Sequence, residues 1–456
     1  MGSKARFILV EAPTGSGKSL IAAAWQRLTG RQTLYMCTTK QLQDQVQEDF
    51  PYAEVLKGRA NYPTRNHPEI ACDMCQLSKT VHECDYCAVG VGVDGKTIHD
   101  CPYQNAKKRL LAADLGIVNT ALFLTEGNYV GRLSGFPQVV LDEADTIEGQ
   151  LMAFAELRVS KRVIRLLKLE APKHVTVEED WVDWAKRSLQ RIAECEPLAS
   201  TFNVSERKSV ENLEKRLGYF LNTLVEKNLH WVNCTGKKEH SRGPWTWKPV
   251  RVDTQAENLL WQHGDRWLMM SATILSPEQF CKDLGLPRNE VEFIRLPCTF
   301  PVEHRPVHYF PIADMTYAQR EQSVEGLVLA IDCILQRHFD EKVLIHTVSY
   351  WLMEMIFSLT QQRRRIMRFT HAGERASVIE EFRQADNRAV LLAPGLERGL
   401  DLPYDDCRVI IIPKLPYPSL ADKQVNARLR AYPDGNDWYT LQTARALVQA
   451  SGRRAN

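Results

Sequence analysis

Short, nearly continuous apolar runs recur along the chain: Phe7-Ile-Leu-Val10, Gln138-Val-Val-Leu141, Val390-Leu-Leu-Ala393 and Val409-Ile-Ile-Ile412. Runs of this length without polar alternation predict strands buried on both faces, as in parallel sheets. The first is followed by Leu20-Ile-Ala-Ala-Ala-Trp25, which predicts a helix. From Val343 onward strand and helix patterns alternate again, which predicts a second α/β domain. Between residues 150 and 225 the rhythm changes. Leu213, Leu217, Phe220, Leu221 and Leu224 return at helical spacing among charges, predicting an amphipathic helix in the core of a helical insert. Thr246 to Val252 alternates like a strand and predicts a β-hairpin returning to the first domain with its tryptophans in the core.

Composition changes this picture little. The 456 residues are 44% hydrophobic and 25% charged, ordinary for a globular chain of about three domains. A net charge of +2 excludes a global basic field, so nucleic acid would have to be met by local patches. Phe7–Val10 is too short for a signal-peptide core, and Arg6 stands where a myristoylation signal needs Ser or Thr. Without a run of about 20 apolar residues the expectation is no membrane span and a cytoplasmic protein.

The first strand leads into Glu11-Ala-Pro-Thr-Gly-Ser-Gly-Lys-Ser19 and then a helix, the context of a P-loop. Thr14, Gly15, Ser16 and Gly17 would turn backbone N–H groups onto a polyphosphate, with the helix N-terminus behind them. Lys18 would reach the outer phosphates and Ser19 would hold Mg²⁺, which makes ATP and Mg²⁺ the expected ligands. Ala12 replaces the first glycine of the general pattern. The run ending at Leu141 opens into Asp142-Glu143-Ala144-Asp145, acids at a strand's C-terminal edge, where parallel sheets place ligands. Asp142 would hold Mg²⁺ and Glu143 would orient the attacking water. No separate cluster of nuclease carboxylates stands out.

Five of the twelve cysteines form one cluster, Cys72-x2-Cys75-x8-Cys84-x2-Cys87-x13-Cys101. Paired knuckles of this spacing read first as a zinc site, although four thiolates suit zinc and iron–sulfur equally. Buried thiols are the bland alternative. His230 to Arg251 mixes Trp231, Trp245 and Trp247 with Lys237, Lys238, Arg242, Lys248 and Arg251. Besides the hairpin, such a mixture can bind a single strand by phosphate contacts and stacking. Arg363-Arg-Arg365 with Arg368 reads as a solvated helix face, with phosphate contact as the alternative.

In their order these segments resemble superfamily 2 helicases of the XPD/DinG branch. Thr33–Val46 is similar to motif Ia, Met270-Ser-Ala-Thr-Ile-Leu275 to motif III and Val343-Leu-Ile-His-Thr347 to motif IV. Leu391–Asp401 resembles motif V, and Gln449-Ala-Ser-Gly-Arg453 resembles motif VI. Leu56–Tyr62 and Cys101-Pro-Tyr103 resemble the borders of that family's metal-binding insert. The resemblance implies an α/β fold of two RecA-like P-loop domains with parallel sheets, carrying a cysteine-rich insert and a helical arch-like insert in the first. Domain 1 would take residues 1–55, 102–149 and 226–285, the cysteine insert 56–101, the arch 150–225 and domain 2 residues 286–456.

It also implies ATP-driven movement 5′ to 3′ on single-stranded DNA and separation of strands at DNA forks. Catalysis would rest on Lys18, Asp142, Glu143 and Arg453, with Gly399, Asp401 and Gln449 lining the far side of the ATP cleft and Ser271 and Thr273 coupling nucleotide to strand. A 4Fe–4S cluster is implied on four of Cys72, Cys75, Cys84, Cys87 and Cys101, with Zn²⁺ as the alternative. Protein partners are not indicated.

The pattern breaks at both ends. Asn456 stands where motif VI has its second arginine, and little precedes the first strand. The expectation is a chain trimmed at both ends, with an ATP- and strand-binding module of weak hydrolysis as the rival to a motor.

Overall fold

The structure, a computed structural model, describes residues 4–75, 87–91, 95, 97–131, 133–195, 202–227, 229–236, 243–298, 301–304, 306–395, 402 and 406–451. Cys84, Gly399, Asp401 and Arg453 lie outside the described residues, as do Lys237, Lys238 and Arg242.

The described residues form four sheets. The first is a seven-stranded parallel sheet built from β1 (Phe7–Glu11), β2 (Thr33–Cys37), β3 (Glu54–Leu56), β6 (Leu115–Asn119), β7 (Gln138–Asp142), β11 (Trp267–Ser271) and β12 (Val291–Arg295). Their spatial order is β12-β1-β11-β7-β2-β6-β3, every pairing parallel. The unbroken apolar runs explain this placement. Phe7 and Leu9 of β1 feed one core while Ile8 and Val10 feed a second on the opposite face, so both faces need apolar residues. A small antiparallel hairpin, β4 (Ala88–Val91) with β5 (Thr97–His99), stands in the cysteine-rich segment.

The second domain carries a parallel sheet in the order β14-β15-β13-β16, from β13 (Val343–His346), β14 (Ile366–Arg368), β15 (Val390–Ala393) and β16 (Val409–Ile411). It too is packed on both faces: Val390 and Leu392 enter one core, Leu391 and Ala393 the other. Two RecA-like α/β domains with parallel sheets are therefore present. Arg365 spends its guanidinium on the carbonyls of Leu335, Phe339 and Arg388, and Arg363 caps Phe357. Arg363 and Arg364 are solvent-exposed, as the solvated reading expects, but on a short 3-10 turn rather than an α-helix, and Arg368 on β14 pairs with Glu354.

The insert differs from its expected outline. Helices Glu178–Cys195 and Val204–Leu221 pack on a three-stranded antiparallel sheet, β8 (Leu157–Val159), β10 (Trp245–Pro249) and β9 (Trp231–Asn233), in that order. Trp181 lies 4.8 Å from Trp184 and 5.8 Å from both Trp245 and Trp247. The tryptophans are core residues, but of the insert: the strands expected to return to domain 1 after residue 226 complete the insert instead. The boundary at residue 286 shifts as well. β12 pairs with β1 along its whole length, so the first sheet continues to Arg295. Both misplacements have one cause, since pairing partners far apart in sequence leave no local signal. Among the described residues, no helix is long and apolar enough to cross a membrane.

Candidate nucleotide site

At the C-terminal edge of the first sheet, the loop after β1 meets the ends of β11 and β7. Ala12, fully buried, donates its amide to the Ser271 carbonyl at 3.0 Å, and its methyl group fills core space where the general pattern has glycine. Ser16 closes a turn by donating its hydroxyl to the Pro13 carbonyl at 2.6 Å. Gly15 and Gly17 both adopt φ of +77°, a region that costs a side chain roughly 1–2 kcal/mol. Gly17 caps the helix Lys18–Thr29 without any side-chain acceptor, which leaves that helix's first amides available to an anion. Thr14 is exposed on the loop, and Lys18 and Ser19 begin the helix.

The acidic segment reaches the same place. β11 lies between β1 and β7, and its register aligns Met270 with both Val10 and Asp142. Asp142 is 7% exposed; burial pushes its carboxyl above the usual range, the Lys18 ammonium opposes that, and the Glu143 amide donates to it at 3.0 Å. Glu143 itself holds φ of +50°, uncommon for a residue with a side chain and typical of positions held by function. The P-loop and the acidic strand end are thus neighbours on one edge of one sheet.

Motif III ties the acids to the second domain. The Ser271 and Thr273 hydroxyls donate to the two oxygens of Asp145, at 2.7 and 2.9 Å, and all three residues are buried. Gln449 donates its amide to the Thr273 hydroxyl at 2.9 Å. One turn earlier on the helix Gly435–Ser451, Arg445 donates to the carbonyls of Thr273 and Ile274, at 3.2 and 3.4 Å. Glu11 at the end of β1 accepts from the Leu275 amide at 2.6 Å and pairs with Arg295 at 2.7 Å.

Three residues of the site had no signal in the sequence. The Tyr35 ring is 1% exposed, and its hydroxyl lies beside Asp142 and Ser19 without a hydrogen bond of normal geometry; burial first, then the Asp142 charge, push it well up. Arg428, 1% exposed, sits between Asp283 at 2.8 Å and Asp434 at 3.1 Å. Glu148, on the helix after the acidic segment, accepts from the Trp438 indole at 3.2 Å. Burial, and next the Asp283 charge, push its carboxyl up to about 7. An aromatic within a strand and single charges within helices look ordinary until the chain folds.

Cys72, Cys75 and Cys87 are buried and Cys101 partly so. Burial raises the Cys72 thiol to about 12, with Cys101 and Cys87 adding to it; burial also raises Cys87, with Cys101 and Cys75 adding to it. The amides of Tyr103 and Arg65 point at the Cys72 and Cys87 sulfurs. Among the described residues no group of three or more His, Cys, Asp or Glu side chains closes to metal-holding spacing.

Residues 2–177 match the DEAD/DEAH box helicase family, and residues 334–455 match the helicase C-terminal domain family. An XPD helicase of known structure shares the fold with a TM-score of 0.58 at 16% identity, over 98% of this chain and 89% of that one. A second XPD structure, in the apo form, gives 0.58 at 14% identity, over 98% and 89%. S. tokodaii Xpd4 gives 0.56 at 13%, over 98% and 88%. No curated protein matches the chain. The first lobe, with its P-loop and acidic strand end, thus carries a DEAD/DEAH box helicase domain, and the second a helicase C-terminal domain. Its fold is that of the XPD structures.

Proposed function

We propose that the protein hydrolyses ATP to move 5′ to 3′ on single-stranded DNA and to separate strands at forks. The observation that carries this is the strand register, which brings the loop after β1 beside the buried Asp142 carboxylate at the edge where the second domain's Gln449 also arrives. In this reading Lys18 holds the outer phosphates, and Ser19 and Asp142 hold Mg²⁺, which neutralises the developing charge. Glu143 orients the attacking water. Asp145 fixes Ser271 and Thr273, so a change at the phosphates is felt by Gln449 and Arg445 of the other lobe. Arg453, Gly399 and Asp401 would close the cleft from that lobe. DNA as the strand and the polarity follow from the resemblance to XPD and DinG helicases.

We also assign a 4Fe–4S cluster, with zinc as the alternative, to four of the five clustered cysteines. The donor chemistry fits: Cys72, Cys75, Cys87 and Cys101 lie in one another's fields, with amides aimed at two of the sulfurs. When bound, the group would staple an insert too small to build its own core.

ATP turnover measured with and without single-stranded DNA tests the function. Strong stimulation is expected. Binding of the strand without turnover would leave a strand-binding module in place of a motor.

A further inference from the structure

Away from the ATP edge, a cavity of about 260 Å³ opens where the helical insert meets the first domain. Its walls come from two unusual pieces of backbone. Glu126–Val130 and Asn222–Glu226 are both π-helical turns, and Tyr129 of the one and Asn222 of the other line the cavity. A π turn costs regular hydrogen bonding and turns an extra residue outward, so such turns recur at functional sites. Here two of them face one hollow.

The lining has a consistent chemistry. Tyr129, Phe154 and Tyr219 supply aromatic surface, with the first two rings 5.5 Å apart. Arg216 and Lys227 supply positive charge, and Lys215 holds its ammonium 4.6 Å from the centre of the Tyr129 ring at the rim. Arg216 commits one N–H to the Glu156 carbonyl, and among the described residues the Lys227 ammonium reaches the Gln255 amide oxygen alone, at 3.4 Å. Among the described residues, no Asp or Glu lines the cavity to neutralise these cations. The Tyr219 hydroxyl is buried without a protein partner, a cost that a ligand acceptor would remove.

We infer that this cavity holds one nucleotide unit, a planar base against the aromatic side chains and a phosphate against Arg216 and Lys227. At about 260 Å³ it falls just below the span of about 300–1,000 Å³ usual for larger organic ligands, and suits one ring with one charged group. The unit is either a free nucleoside monophosphate or one residue of a bound single strand; the strand-borne case rests on the proposed function, whereas the free case does not.

The test uses the full chain with two probes: 2-aminopurine deoxyriboside monophosphate, and a single strand carrying one 2-aminopurine. Fluorescence quenching reads base stacking. The monophosphate is titrated in a Lys18→Ala background, which removes binding at the P-loop. Tyr219→Phe removes only the unpartnered hydroxyl, and Lys227→Ala changes an exposed side chain, so both should fold. Tyr219→Phe is expected to weaken binding by about 2- to 12-fold, the range for one neutral hydrogen bond, and Lys227→Ala by about 10-fold or more, the range for a charge-assisted contact.

Weakened monophosphate binding with unchanged strand affinity identifies a free nucleotide. Weakened strand affinity, with the monophosphate competing, identifies a residue of the strand. Affinity for both probes unmoved in both variants overturns the inference. Strand-stimulated ATP turnover is measured separately, with Lys18 intact. Stimulation without any effect of the variants removes this site alone; no stimulation, with monophosphate binding still sensitive to them, removes the proposed motor alone.

Discussion

Gln449 donates to the Thr273 hydroxyl at 2.9 Å, so a side chain of the last helix ends on the loop that follows β11 of the other domain. The same hydroxyl donates to Asp145, making Thr273 the point where the acidic segment and the far lobe share one atom. Removing the donor by Gln449→Ala is expected to lower strand-stimulated ATP turnover by about 2- to 12-fold, the worth of a single hydrogen bond, with KM for ATP little changed. Steady-state kinetics check this, and a KM effect without a kcat effect would contradict it.

Lys18→Ala is expected to abolish ATP turnover while leaving the fold intact. The Lys18 ammonium is the cation that opposes the burial of Asp142, and its removal also deprives the phosphates of their counter-charge. ATPase assay, with circular dichroism as the control for folding, decides. Normal turnover in this variant would refute the site.

Glu148 gives a pH dependence with a definite sign. Its carboxyl titrates near 4.5 when unfolded and near 7 in the folded protein, mainly because burial disfavours its charge. The folded state therefore holds the proton more tightly, and stability falls as pH rises from about 4.5 to 7. Glu148→Gln cannot ionise, so it should melt higher than the parent at pH 8 and show a flatter profile between pH 5 and 8. Parallel profiles for the two proteins, read by thermal unfolding, would show that burial does not govern this group.

Metal content separates the clustered cysteines from the scattered ones. Cys101→Ser is expected to lose bound metal and to melt lower, whereas Cys333→Ser, at an exposed position, should lose none. Chelation should lower the parent's melting temperature to that of Cys101→Ser. Iron with acid-labile sulfide in anaerobically purified protein identifies the cluster; zinc alone identifies the alternative. Full metal retention in Cys101→Ser would contradict the assignment.

What the sequence made legible was local. A buried strand, a glycine loop and a helix sit next to one another in the chain, so the environment of Lys18 was readable from residues 7–25, as was Asp142 from the strand before it. What escaped depends on partners far away. Tyr35 looks like any strand aromatic until β2 pairs with β7 and brings it to Asp142. Arg428 and Glu148 look like surface charges until two domains close over them. Trp245 and Trp247 were read correctly as core, yet the core they join belongs to the insert, because β10 pairs with β8 across more than eighty intervening residues.

That pairing has a mechanical meaning. The chain leaves the first domain for the insert through β8 and comes back through β9 and β10, and β10 bonds to both neighbours. The outgoing and incoming tethers are thus zipped together at the base. A load that pulls these strands apart must first tear the backbone hydrogen bonds between them, so the base of the insert resists splaying where it joins the domain beneath it.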